Sequence, residues 1–129
     1  MSVKVLTRIM FIAWITAITV LAVIPHSDDG IMISSNVTTS GMEKHLIGYF
    51  IAALLCYYGF KRGGILFILM CGVLIFLYSV VLETVQFFLP YRTFNVYDVV
   101  GNGVGIGAFC LIYLAKTNNR MKSHTGLLG

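Results

Sequence analysis

The sequence predicts an all-α polytopic membrane protein, with four transmembrane helices in one bundle and both termini cytoplasmic. Three observations carry this. Of 129 residues, 58% are hydrophobic and 11% charged, and the mean hydropathy is +0.89; a soluble domain of this size needs more polar surface. The apolar residues fall into four runs, broken by short stretches of proline, glycine and charge. The lysines and arginines lie mostly on one side of those runs. A span takes about 20 residues, so the chain is filled by four of them and short loops, as a single domain over residues 1–129. The net charge of +4 is spread over loops and ends, and no nucleic-acid partner is expected.

The first run, residues 8–24, follows Lys4 and Arg8 and stops at Pro25. Its basic start resembles a signal peptide. No clean small-x-small cleavage site follows, however, and its length suits a tilted span, so an uncleaved anchor is expected. Trp14 lies well inside it and reads as a packing residue. A polar loop from His26 to Gly41 comes next. The second span, residues 43–60, opens with Glu43-Lys44-His45 and is short; Lys44 can snorkel outward, which makes the length workable. Lys61-Arg62-Gly63-Gly64 is a basic tight turn. The third span, residues 65–89, is strongly apolar except for Glu83 and Gln86, and Pro90 ends it.

Asn95 is the expected N-cap of the fourth span, residues 97–115, with Asp98 at N3. That span carries small-xxx-small pairs at Gly101/Gly105 and Gly103/Gly107. Such pairs let another helix approach closely, either inside the bundle or from a second copy in a homo-oligomer. A loose polar tail is expected over residues 116–129. Cys56, Cys71 and Cys110 all fall in apolar runs, without disulfide or metal spacing, and read as small apolar residues.

Orientation follows from the basic residues. Lys4, Arg8, Lys61, Arg62, Lys116, Arg120 and Lys122 share one side; Lys44 and Arg92 share the other with all the acids. The first side is therefore expected to be cytoplasmic. Glu83 then lies about 10 Å below the outer end of its helix, with Gln86 on the same face. His45 and Tyr49 enter from the second helix, and Asp98 and Asn102 from the fourth. Three helices thus bring polar side chains to one outer depth.

Glu83 is the most informative of these. A carboxylate in hydrocarbon is costly, so it is expected to pair with Arg92 or His45, or to stay protonated. It serves either as a hydrogen-bonding clamp between helices or as a general acid, general base or ligand anchor. His45 reads as a proton shuttle with Glu83 or as an interfacial histidine on a loop carbonyl. Arg92 suits bidentate binding of phosphate or carboxylate, or an ion pair with Asp98 that fixes the turn. Asp98 is a catalytic candidate beside Glu83 and His45, or a helix N-terminal cap. Lys44, Tyr49, Gln86, Arg92 and Asn102 are the ligand-binding candidates. No HxxxH spacing is present, so no metal and no cofactor are expected. No serine or cysteine lies in the cluster to act as a nucleophile.

His45-x-x-x-Tyr49, Glu83-x-x-Gln86, Pro90-x-Arg92, Asp98-x-x-x-Asn102 and Gly105 together resemble the signature of the VanZ-like family, over residues 44–107. The match departs where Glu43-Lys44 abuts His45 directly and in the glycine spacing after Asn102. The resemblance implies a small multi-pass protein of a bacterial cytoplasmic membrane, in a family whose namesake is associated with tolerance of the glycopeptide teicoplanin. It suggests an outer-face site for a membrane lipid, a lipid-linked cell-wall precursor or the glycopeptide itself. Two other readings stand beside it. One is a membrane-embedded acid–base hydrolase or transferase acting on an amphiphile; the other is an assembly or small-solute transport protein.

Overall fold

The computed structural model describes residues 2–25, 37–60, 64–92 and 94–125, with only the backbone for 37–40 and 120–125. Most of the polar loop expected from His26 and the Lys61-Arg62 turn lie outside these residues. The described residues form helices α1 (Val3–Val23), α2 (Val37–Phe60), α3 (Ile65–Phe87) and α4 (Val96–Thr125), with no strand among them.

The ends of the helices follow local chemistry. Ser2 caps α1, its hydroxyl accepting from the Val5 N–H at 3.4 Å. Pro25 stops α1 by forcing Ile24 into extended backbone, with ψ at 133°. Gly64 turns into α3 with φ at +87°, a conformation that favours glycine. α3 ends at Phe87 rather than at Leu89, because Pro90 excludes the preceding residue from helical backbone. Asn95 caps α4 as expected, its Oδ1 accepting from the Tyr97 N–H at 3.0 Å.

Two further boundaries differ widely from the sequence expectation. α2 begins at Val37, inside the segment expected to be loop, and α4 continues beyond Ala115 to Thr125, where a loose tail was expected. Hydropathy marks where a helix leaves an apolar medium, not where its backbone bonding stops. No proline or glycine interrupts the chain between Gly107 and Gly126, so α4 has no reason to end with its apolar stretch.

α2 is the central helix and packs on all three others, with α1 and α4 on two of its sides. The core gathers Tyr49, Ala52, Ala53 and Tyr57 of α2 with Ile68, Ile75, Ile106 and Phe109. α2 and α4 meet backbone to backbone. A Cβ on Gly101 would sit 2.8 Å from the Met42 carbonyl oxygen, and one on Gly105 would overlap the Leu46 carbonyl outright. The Gly101/Gly105 face, which suited either a bundle or a second copy, is therefore used inside the bundle.

Polar side chains pin the remaining contacts. Trp14 Nε1 donates to the Gly48 carbonyl at 2.9 Å, so Trp14 is a packing residue as expected. Arg8 Nε donates to the Gly59 carbonyl at 2.9 Å, and its guanidinium lies over the Phe60 ring at 5.3 Å. Thr19 bonds Tyr78, and Tyr57 bonds Tyr113. All three cysteines are free thiols.

The outer surface is apolar. α3 alone exposes Leu66, Leu69, Val73, Leu74, Leu77 and Val81. Such a belt is unfavourable in water and ordinary against lipid tails. α1, α3 and residues Val96–Asn119 of α4 are each long and apolar enough to cross a membrane.

Candidate functional site

The polar residues converge at the end of the bundle where α1 and α3 finish and α2 and α4 begin. A cavity of about 470 Å³ opens there. Ile18, Leu21, Ala22 and Leu82 supply its apolar wall; Lys44, His45, Tyr49, Glu83, Gln86, Arg92 and Asp98 supply the polar one.

His45 is the hub. Its Nδ1 lies 2.9 Å from Asn102 Oδ1, tying α2 to α4. The same nitrogen is 3.6 Å from Glu83 Oε1, and Nε2 is 3.7 Å from Asp98 Oδ2. One imidazole thus stands between two carboxylates, on helices that meet only through tertiary packing. Tyr49, one turn deeper on α2, is 3% exposed and stacks near-parallel to the His45 ring, with centroids 6.4 Å apart. Glu83 is 2% exposed and Asn102 fully buried.

Asp98 enters from the first turn of α4, where the helix N-terminus favours its charge. Its Oδ1 accepts from Asn95 Nδ2 at 3.3 Å, so Asn95 both caps α4 and steadies Asp98. Gly41 makes room for this carboxylate: a Cβ there would lie 3.2 Å from Asp98 Oδ1. Glu83 Oε2 and Asn102 Nδ2 are buried with no hydrogen-bond partner. Of the two only Glu83 lines the cavity, and a fully desolvated acceptor at its wall is costly unless something that enters the cavity satisfies it.

Arg92 and Gln86 line the cavity and also reach the end of α1. Arg92 was expected to pair with Glu83 or Asp98, yet no such ion pair forms within 4.0 Å among the described residues. Its Nη2 instead donates to the Leu21 and Ile24 carbonyls at 2.5 and 3.1 Å. Gln86 Nε2 donates to the Ala22 carbonyl at 3.2 Å, and the Tyr91 hydroxyl to the Val23 carbonyl at 3.0 Å. Three side chains from the end of α3 and its turn therefore cap the last carbonyls of α1, where a cation also suits the macrodipole. Arg92 still lines the cavity, with its Nε buried and unpartnered. Lys44 is exposed at the cavity and makes no ion pair with any described residue.

The sequence reading missed α1 altogether as part of the site. Its contribution is backbone carbonyls and the side chains of Ile18, Leu21 and Ala22. Carbonyls carry no sequence signal, and these side chains look like any others in an apolar run. Asn95 and Asp98 were legible as N-cap and N3 of one cap, but the bond between their side chains was not.

Residues 9–117 match the family model of VanZ/LLP1. The chain is also 35% identical, over 82 residues, to an uncharacterised protein of the fission yeast Schizosaccharomyces pombe; the alignment covers 60% of this chain and 49% of that one. The chain thus spans about half the length of that curated relative. No solved structure matches. With most of its length inside the family model, the chain belongs to the VanZ/LLP1 family.

Proposed function

We propose that this member of the VanZ/LLP1 family binds the anionic headgroup of a membrane amphiphile in the cavity between its helix ends. One observation carries the reading. The cavity joins two cations, Lys44 and Arg92, the latter with a buried and unpartnered Nε donor, to an apolar wall of Ile18, Leu21 and Leu82. An amphiphile has that same division of character. A space of about 470 Å³ takes a headgroup rather than a whole glycopeptide. Tolerance of teicoplanin would then follow indirectly, through a lipid or lipid-linked molecule that the protein holds.

In this reading α2 completes a fourth crossing, both termini are cytoplasmic, and the cavity faces outward in a cytoplasmic membrane. The support is the distribution of lysine and arginine. α2 is less apolar than α1 and α3, and its neighbours cover much of it.

The test is native mass spectrometry of gently solubilised protein. Wild type retains an anionic amphiphile; Lys44→Ala, an exposed position without an ion pair, loses most of it while the thermal midpoint stays put. No bound amphiphile in wild type, or the same occupancy in Lys44→Ala and Glu83→Gln, refutes the reading. A second reading, acid–base turnover of the bound amphiphile, is favoured by His45 lying between Glu83 and Asp98. It requires that Glu83→Gln still bind the ligand and leave it unaltered where wild type converts it.

A further inference from the structure

We propose that His45, Glu83 and Asp98 form a site for a divalent metal ion of the zinc class, held by one imidazole nitrogen and two carboxylate oxygens. The inference concerns the cation alone and does not depend on the amphiphile reading. The three residues come from α2, α3 and α4, and one ligand atom from each lies within 4.8 Å of the other two.

The hydrogen bonds around the trio select which atoms are free. Asn102 Oδ1 only accepts, so the His45 Nδ1 it faces carries the proton, and Nε2 of the neutral ring is left with its lone pair. Nε2 faces Asp98 Oδ2 at 3.7 Å. Asn95 occupies the other oxygen of that carboxylate, leaving Oδ2 without a hydrogen-bond donor among the described residues. Glu83 Oε2 is buried and has no partner. His45 and Asp98 therefore each present one lone-pair atom fixed from behind by a carboxamide, and Glu83 presents a buried carboxylate oxygen beside Asn102. That is how metal ligands are oriented: an outer hydrogen bond sets the tautomer and the carboxylate rotamer.

Charge points the same way. Two carboxylates flank a ring that is neutral in this tautomer, and Glu83 is 2% exposed. A dication cancels both charges where water does not. Nitrogen with carboxylate oxygen suits zinc and its neighbours better than magnesium or calcium, which prefer all-oxygen shells. Bonds of about 2.0–2.2 Å bring tetrahedral ligands to about 3.4 Å apart, so ligand atoms within 4.8 Å of one another draw in by up to about 1.4 Å on filling. Three protein ligands leave one position open. The absence of an HxxxH pair from the sequence is no objection, because each ligand comes from a different helix.

The test uses full-length protein in detergent, stripped with a chelator, exchanged into chelator-free buffer and titrated with Zn²⁺ or Co²⁺. Wild type takes up one equivalent. X-ray absorption of the zinc form shows nitrogen and oxygen donors only, and Co²⁺ gives d–d bands. Glu83→Gln and Asp98→Asn each weaken Zn²⁺ binding at least about 100-fold, and Asn102→Ala, which touches only the orienting bond, about tenfold. Failure of wild type to bind near one equivalent at about 10 μM free Zn²⁺ overturns the proposal. So does sulfur in the shell, which would place the ion at Cys56, Cys71 or Cys110, or undiminished binding in both carboxylate variants. The wild-type absorption spectrum decides even where a variant fails to fold. With no lipid added, a negative result leaves the amphiphile reading standing, and loss of the amphiphile leaves this one standing.

Discussion

Gly105→Ala against Gly107→Ala tests the packing of this bundle with opposite signs. Both glycines lie within α4, where alanine is worth about 1 kcal/mol more than glycine in helix propensity. A Cβ on Gly107 has nothing within 4 Å, so that gain is kept and Gly107→Ala stabilises by about 0.5–1 kcal/mol. A Cβ on Gly105 overlaps the Leu46 carbonyl and lies 3.0 Å from its carbon and 3.1 Å from the Phe50 nitrogen. All three are backbone atoms of α2, so no rotamer change relieves the clash, and the two helices must part by about an ångström. Overpacking of this kind costs about 1–3 kcal/mol, occasionally more, and a rigid backbone target belongs at the upper end. After the propensity gain the net loss is about 2 kcal/mol. Thermal melts in one detergent should place Gly105→Ala roughly 5–8 °C below wild type and Gly107→Ala at or above it. A Gly105→Ala protein as stable as wild type would mean that α2 and α4 do not meet at this point, and the account of the core would fail.

The other predictions are local. Gly101→Ala crowds the Met42 carbonyl and lies 3.3 Å from His45 Cβ, so it should displace His45 and weaken Zn²⁺ binding as well as lower the melt; a melt change with unaltered metal affinity would separate the two. Arg92→Gln removes a charged cap from α1 and should cost about 1–2 kcal/mol, read as faster proteolysis or labelling near residue 24; unchanged protection there would discard the capping role. Trp14→Phe deletes the bond to the Gly48 carbonyl and should cost about 1 kcal/mol in the melt, whereas a neutral outcome would show that this contact between α1 and α2 contributes nothing net. Cysteine at position 123, treated with a membrane-impermeant thiol reagent, should label only after lysis, and cysteine at position 35 in intact cells. The reverse pattern would invert the topology.

The sequence by itself determined the class of the molecule and the content of its site. Composition and apolar run length demand membrane helices, because a chain this poor in charge has no other way to satisfy its surface. Spacing along each helix put Glu83, His45, Asp98 and Asn102 at one depth, since a helix has a fixed rise and a fixed repeat. The capping role of Asn95 was legible for the same reason: it is local chemistry. What spacing along single helices cannot express is which faces meet. Only the tertiary structure decided that Gly101 and Gly105 press on α2 rather than on a second copy. It also turned Arg92 from a partner of acids into a cap on α1, because the end of α1 brings bare carbonyls to the guanidinium while its sequence shows only apolar residues. The pairing of His45 with two carboxylates belongs to the same class of fact. Each partner was visible in the sequence, but distances of under 4 Å between α2, α3 and α4 exist only once the helices have packed.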